Sequence, residues 1–295
     1  MFEIKARMLI IGARGFLGIH MARLAAPAFE VIQGIRTRSL CADEVRIDIT
    51  DKAGVQAAFQ AAKPDVVVLL AAMSDIDRCE AQQEEALAVN VHGVQYVAEA
   101  CALANARLVF ASSAAVFDGR KHGYSEDTPP SPVSFYGQTK AEAEAIILRV
   151  LPSAIIVRIA LAVGFSGKAN TNGLLDTLAR RWAAGEQVSL PTFEHRNPID
   201  ANTLSQFVLQ LLEQQSTQGI FHVGATESIS RYELGLKFAE RMGFSGLVQP
   251  QWAPTPGRAP RGLDQFLLTD KLRALCTVPI PTCEEVIERC FRGAA

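Results

Sequence analysis

Tyr136 and Lys140 stand four residues apart in the run Tyr136-Gly137-Gln138-Thr139-Lys140. That spacing puts both side chains on one face of a helix. A tyrosine hydroxyl titrates near pH ~10 and is a poor acid at neutrality, but a neighbouring ammonium favours the phenolate and lowers that value. The same lysine can hydrogen-bond a nicotinamide ribose. Such a pair also arises by chance in helices, so it needs support from elsewhere. Upstream, Leu108-Val109-Phe110-Ala111-Ser112-Ser113 ends in two hydroxyls. Ser112 or Ser113 can donate a hydrogen bond to a substrate carbonyl oxygen, or can simply cap a turn. Taken together, the three elements describe reduction of a carbonyl, with Tyr136 supplying the proton.

A second constellation lies near the start. Gly12-Ala13-Arg14-Gly15-Phe16-Leu17-Gly18 follows the apolar run Arg7-Met8-Leu9-Ile10-Ile11. Glycines at these places allow a tight turn, a close backbone approach to a pyrophosphate, and close helix–strand packing. The helix opening at Phe16 offers free N–H groups and a positive dipole end. Within a strand–helix–strand unit this motif predicts dinucleotide binding. After Ile32 comes Gln33-Gly34-Ile35-Arg36-Thr37-Arg38, with no carboxylate at the strand end and two arginines after it. Arginine there pairs with a 2′-phosphate, so Arg36 and Arg38 predict NADP (as NADPH), with NAD as the alternative.

The elements that must hold these groups alternate regularly. Strands are expected at 7–11, 29–34, 45–48, 65–72, 107–112 and 154–159. Helices are expected at 16–26, 51–62, 84–104 and 134–150. This order predicts an α/β fold, a Rossmann-like doubly wound parallel sheet with right-handed crossovers. Beyond 160 the alternation weakens, with helices at 171–185, 202–215, 230–242 and 283–291 and a strand at 219–223. The run 249–261 carries Pro250, Pro254, Pro256 and Pro260 and reads as a loop. The expected division is a dinucleotide-binding domain over 1–160, to which a 199–215 helix returns, and a smaller C-terminal substrate lobe over 161–295.

Composition sets outer bounds. The chain has 295 residues, 49% hydrophobic and 20% charged, with 29 Lys plus Arg against 31 Asp plus Glu. A net charge of -2 gives no general attraction to nucleic acid or to an anionic membrane. The longest apolar run, 66–73, is too short to span a bilayer. Six cysteines show no CxxC pair and no metal-ligand spacing, as expected of a cytoplasmic protein without a metal site.

The chain resembles the extended short-chain dehydrogenases/reductases of the NAD-dependent epimerase/dehydratase superfamily, and within them the dTDP-4-dehydrorhamnose reductase family. The stretches that carry the likeness are Gly12 to Gly18, Pro64-Asp65-Val66-Val67-Val68, Ala71-Ala72, Ile76-Asp77-Arg78-Cys79-Glu80 and Ala88-Val89-Asn90-Val91. Ser112-Ser113 with Val116-Phe117-Asp118-Gly119, Tyr136 to Lys140, and Leu267 to Leu272 extend it nearly over the whole chain. The resemblance implies that Ser113 is the catalytic hydroxyl, Tyr136 the acid and Lys140 its partner. It also implies that Gly15, Phe16 and Leu17 meet the pyrophosphate and Asp48-Ile49 the adenine. Ala71, Ala72, Met73 and Asn90 then belong to the cofactor site. Where the family has Asp-Tyr after its catalytic hydroxyl this chain has Ala114-Ala115, and Ile159-Ala160-Leu161 replace a frequent Trp.

The function this implies is NADPH-dependent reduction of a 4-keto sugar carried on a nucleotide. A nucleotide-sugar epimerase or dehydratase is the enzymatic alternative. The β regulatory subunit of methionine adenosyltransferase, which resembles the same reductases, supplies a non-catalytic one. The reading leaves room for a homodimer. A nucleotide diphosphate needs fixed cations, and arginine's planar fork suits phosphate. His195-Arg196-Asn197-Pro198, Arg258 and Arg261 are the candidates, with Arg196 or Arg261 expected to face the cleft opposite Ser113 and Tyr136.

Overall fold

The computed structural model describes residues 5–37, 41–167 and 173–292. The apolar run after Arg7 forms β1 (Arg7–Ile11), which passes through the glycine turn into α1 (Phe16–Ala25). β2 (Glu30–Ile35), β3 (Glu44–Arg46), α2 (Lys52–Ala62) and β4 (Val66–Leu69) continue the alternation. Then come α3 (Ile76–Ala81), α4 (Gln83–Leu87), a π-helical turn over Ala88–His92 and α5 (Gly93–Ala104). β5 (Arg107–Ser113), α6 (Phe135–Val150) and β6 (Ile155–Ile159) complete the first half.

β6, β5, β4, β1, β2 and β3 lie side by side in that order, all parallel. Chain order reverses between β1 and β4, so a crevice opens at their carboxyl ends, where ligands bind in sheets of this kind. Neighbouring side chains along each strand alternate between two cores. Met8, Ile10, Val66 and Val68 enter one, while Leu9, Ile11, Val67 and Leu69 enter the other. Helices therefore cover both faces, which explains why the strands are apolar throughout rather than alternating with polar residues.

The second half weaves between a small lobe and this sheet. It comprises β7 (Leu161–Val163), α7 (Leu174–Ala183), β8 (Val188–Pro191), β9 (His195–Arg196), β10 (Pro198–Asp200), α8 (Ala201–Glu213) and β11 (Gly219–Val223). β12 (Ile229–Ser230), α9 (Arg231–Arg241), β13 (Val248–Gln251), β14 (Asp264–Gln265), α10 (Asp270–Leu275) and α11 (Cys283–Arg292) follow. α8 packs on α1, and β11 adds a seventh parallel strand outside β6. Leu175, Trp182, Leu234, Phe238 and Val286 of the lobe share one core with Met8 and Ile10 of the sheet. Among the described residues no helix is long and apolar enough to cross a membrane.

Three elements depart from the sequence expectation. The helix expected over 84–104 is interrupted by the π-helical turn, which aims Asn90 inward. The strand expected over 65–72 ends at Leu69, and the Ala71 N–H turns back to the Ile11 carbonyl at 3.0 Å. The loop expected over 249–261 opens with β13, which contains Pro250 and pairs with β8 in a two-stranded sheet. At a sheet edge the missing proline N–H costs no ladder bond.

Candidate active site

The glycine turn is shaped for a close ligand. Gly12 has φ +95°, and a Cβ there would lie 2.9 Å from the Ala71 nitrogen. A Cβ on Gly18 would lie 2.2 Å from the Gly12 carbonyl oxygen, so no side chain fits. The helix it opens is unlike α2, α6, α8 and α9, whose first turns are capped by Asp51, Ser134, Asp200 and Ser230. α1 begins at Gly15 with no side-chain cap, and the Phe16, Leu17 and Gly18 N–H groups meet no acceptor among the described residues. Free N–H groups at a helix N-terminus suit phosphate oxygens.

Around this turn lie the other residues expected at a cofactor. Arg36 is exposed just past β2, close enough to Asp48 to help hold its carboxyl low. The larger cause there is Thr50, whose N–H and hydroxyl both donate to Asp48 Oδ1, at 3.0 and 2.8 Å. Ile49 is buried beside it. Arg38 lies outside the described residues. Arg14, in the turn itself, bonds Thr37 and pairs with Glu44 at 2.6 Å. Ala71 and Ala72 are half-buried and Met73 is buried. Asn90, expected in the cofactor site, is buried, and its amide is engaged by the chain itself. Its Oδ1 accepts from the Met73 N–H, and its Nδ2 donates to the Met73 carbonyl, both at 2.9 Å, and to Thr139 Oγ1 at 3.2 Å. It shapes the 71–73 loop from behind.

The two serines ending β5 are resolved by strand geometry, which sends neighbouring side chains to opposite faces. Ser112 Oγ donates to Glu144 Oε1 at 2.5 Å and is thereby occupied. Ser113 accepts from the Ala115 N–H at 3.1 Å and stands close enough to the Tyr136 phenol to lower its pKa. Tyr136 and Lys140 share one face of α6, as expected, and both are buried. Their electrostatics differ from the expectation, however. Burial pushes the Tyr136 phenol up to about 12, with Ser113 pulling the other way. Burial also draws the Lys140 ammonium down to about 7, opposed by the Glu144 charge. Lys140 Nζ donates to the Ala111 carbonyl at 2.6 Å. Desolvation rather than the lysine charge governs the tyrosine.

α3 joins this centre to the small lobe. Its Cys79 and Ile76 pack with Tyr136, Met73 and Ala115, and Glu80 accepts from the Phe135 N–H at 3.1 Å. Its Asp77 reaches across to the proline-rich loop. Arg261 grips Asp77 through two bonds of 3.1 and 2.7 Å, the Ala259 N–H adds one of 2.8 Å, and Arg258 stands 3.6 Å away. The Arg261 bond is the main reason the Asp77 carboxyl falls to about 2.

Arg196 departs from expectation. Its guanidinium donates to the His195, Gly262 and Leu263 carbonyls, so it ties β9 to that loop rather than facing the cleft. The sequence reading passed over Arg231. This residue opens α9 within electrostatic range of Glu194, Arg258 and Arg261, and its guanidinium makes no hydrogen bond or ion pair to any described residue. Burial lowers its pKa, Glu194 opposes that, and the two neighbouring arginines reinforce it. Nothing in the sequence around Arg231 marks it, because the charges that surround it come from remote segments.

Comparison with known proteins agrees with this layout. The family described as "RmlD substrate binding domain" matches residues 6–295. A dTDP-4-dehydrorhamnose reductase of Aggregatibacter actinomycetemcomitans is 32% identical, over 78% of this chain and 77% of that protein. Methionine adenosyltransferase 2 subunit beta of Xenopus laevis is 28% identical, over 91% of this chain and 82% of that protein. The crystal structure of a dTDP-4-dehydrorhamnose reductase from Bacillus anthracis in complex with NADP superposes with a TM-score of 0.89 at 26% identity, covering 98% of this chain and 100% of that one. The chain belongs to the RmlD substrate-binding-domain family, among the dTDP-4-dehydrorhamnose reductase homologues of the extended short-chain dehydrogenases/reductases.

Proposed function

We propose that this protein is an NADPH-dependent reductase of a 4-keto sugar carried on a nucleoside diphosphate. The observation that carries the reading is the meeting of Ser113, Tyr136 and Lys140 at the sheet edge that also bears the uncapped α1 turn. The residues present fit a dinucleotide. The Phe16, Leu17 and Gly18 N–H groups would hold its pyrophosphate beside Gly12 and Gly15, and Asp48 with Ile49 its adenine. Arg36, and Arg38 by its place in the sequence, would meet the 2′-phosphate. Ala71, Ala72 and Met73 would line the nicotinamide ribose, within reach of Lys140.

The chemistry supplied by a bound dihydronicotinamide is hydride donation to the carbonyl carbon. Ser113 orients the carbonyl oxygen, and the Tyr136 phenol gives that oxygen its proton. Lys140 stabilises the phenolate left behind, provided the ammonium stays charged. Arg231, Arg258 and Arg261 receive the substrate diphosphate, and Arg261 remains the substrate contact of this reading where Arg196 serves the scaffold. A reducing, cytoplasmic setting belongs to the same reading, since Cys79, Cys101, Cys276, Cys283 and Cys290 form no disulfide.

The test is NADPH oxidation by purified protein with a dTDP-4-keto-6-deoxyhexose, against the same nucleotide without the keto group. Turnover with the keto sugar alone supports the reading. Tight NADPH binding without turnover would defeat it and favour a regulatory subunit.

A further inference from the structure

Behind the catalytic pair lies an ion pair that the proposed reaction does not touch. Arg158 of β6 and Glu144 of α6 meet at 2.7 Å with side chains 1% and 3% exposed. Buried pairs of this kind seldom stabilise a fold, because the cost of desolvating both charges offsets their attraction. What distinguishes this one is its place. Tyr136, Lys140 and Glu144 recur at every fourth position of α6 and stack on one face.

The carboxylate is fixed from two sides. Ser112 donates to Oε1 at 2.5 Å, while Arg158 donates through Nε to the same oxygen at 3.0 Å and through Nη2 to Oε2 at 2.7 Å. Arg158 Nη1 also lies 3.4 Å from His222 Nε2, and His222 Nδ1 lies 3.1 Å from the Tyr124 carbonyl. Those partners assign the ring proton to Nδ1. Lys140, by contrast, bonds only the Ala111 carbonyl among the described residues and rests 4.1 Å from the centre of the Phe110 ring.

We propose that Glu144 is a positioning residue for the reduction, its anchored carboxylate holding Lys140 charged beside Tyr136; this rests on the reductase reading above. The titratable groups around Lys140 are Tyr136 and Glu144 on its own helix, Cys79 from α3, and Arg158 and His222 from the far side of the carboxylate, on β6 and β11. Burial pushes the Cys79 thiol up to about 11 and the Tyr136 phenol to about 12, so both are neutral. Burial, with Arg158 adding, takes His222 down to about 3, so it is neutral too. Glu144 is therefore the negative charge that opposes the desolvation of Lys140, which alone draws the ammonium toward neutrality. A lysine is charged below its pKa and neutral above it. Removing the carboxylate lowers that pKa, and the charge is lost at a lower pH.

The experiment follows Lys140 by 13C NMR of Cε-labelled lysine in NADP-free protein, with the signal assigned by its loss in Lys140→Arg. Glu144→Gln alone leaves Arg158 unpaired, so the nearly isosteric Glu144→Gln/Arg158→Met pair serves as the folded comparison. The Lys140 midpoint should fall by about one pH unit in the pair, given a single nearby charge at an effective dielectric of ~20. The alkaline limb of kcat should move with it, while KM for NADPH holds. An unchanged midpoint in the folded pair would overturn the proposal and leave Glu144 as no more than the partner of Arg158. Ser112→Ala keeps every charge, and its fold is checked by Tm. By loosening the carboxylate it should lower kcat roughly fivefold, the scale of one hydrogen bond, and unchanged kcat would count against the proposal. The titration needs neither NADPH nor sugar, so a wild type without turnover defeats the reductase reading separately.

Discussion

In the proposed function the glycine turn and the arginine cluster both receive phosphate, and they are built in opposite ways. The turn is seven consecutive residues, and it presents backbone N–H groups that cannot be mutated away. The cluster gathers side chains from α9 and the proline-rich loop, and it is locked to α3 by contacts such as Ala259 to Asp77, separated by 182 residues. The first site exists as soon as β1 and α1 pack. The second exists only when the small lobe has closed on α3. One follows from local geometry, the other from tertiary folding, and each should fail in its own way.

The largest expected effect lies where the two sites meet. Tyr136→Phe removes the proton donor from either reading of the phosphate sites, so kcat should fall by roughly 10²–10⁴-fold. NADPH and nucleotide-sugar Kd values, measured calorimetrically, should stay near wild type. Turnover within threefold of wild type would mean another acid.

Gly18→Ala comes next and should strike the turn alone. Its Cβ has no room against the Gly12 carbonyl, and overpacking of this kind costs roughly 1–3 kcal/mol. NADPH affinity should drop by about that amount, together with Tm, while binding of the free nucleoside diphosphate sugar changes little. Equal losses for both ligands would show that the sites are not independent.

Arg231→Met is the mirror experiment. A charged hydrogen bond to phosphate is worth roughly 1.5–3 kcal/mol, so KM for the nucleotide sugar should rise about tenfold or more with NADPH Kd unmoved. The removed charge has no hydrogen-bond or ion-pair partner among the described residues to leave stranded, so Tm should hold or rise. A normal KM would exclude Arg231 from the substrate site.

The smallest effect concerns the lock. Asp77 has a depressed pKa of about 2, mainly through its Arg261 bond. The stability it adds is therefore full above the ordinary carboxylate value near 4 and is lost as pH falls toward 2. With 46% of its side chain exposed, the contribution should stay below about 1 kcal/mol. Chemical denaturation of Asp77→Asn against wild type should show that gap at pH 6 and its closure near pH 2. A constant gap would assign the difference to something other than this ion pair.

The two regions also differ in how far the sequence reveals them. The turn, the Tyr136/Lys140 face and the parallel sheet are readable because each depends on spacing along a few turns of chain. The break at Ala88–His92 is not, since the amphipathic pattern continues through it and only the Met73 and Thr139 partners explain it. Ser112 and Ser113 are equivalent as letters; the family resemblance points to Ser113, and the bond from Ser112 to Glu144 gives the physical reason. Arg196 and Arg231 exchange roles for a similar reason. Three carbonyls of the chain itself satisfy the first, whereas the second is left open by neighbours far away in sequence. Glu144 stands one further step of four along α6, but the sequence reading passed over it, because its partners Ser112 and Arg158 meet it only in the fold.

The outermost strand of the main sheet has a consequence for biosynthesis. β6 is buried along its whole length, and β11 covers its free edge only after the small lobe has been threaded through β7 to β10. A nascent chain that has emerged through β6 thus shows a bare, apolar row of backbone donors and acceptors, an open template for pairing with other chains. The interval until β11 leaves the ribosome is the hazardous one for aggregation, and a fragment ending near residue 160 would remain in it permanently. What looks like a self-sufficient dinucleotide domain is, as a folding unit, unfinished until residue 223.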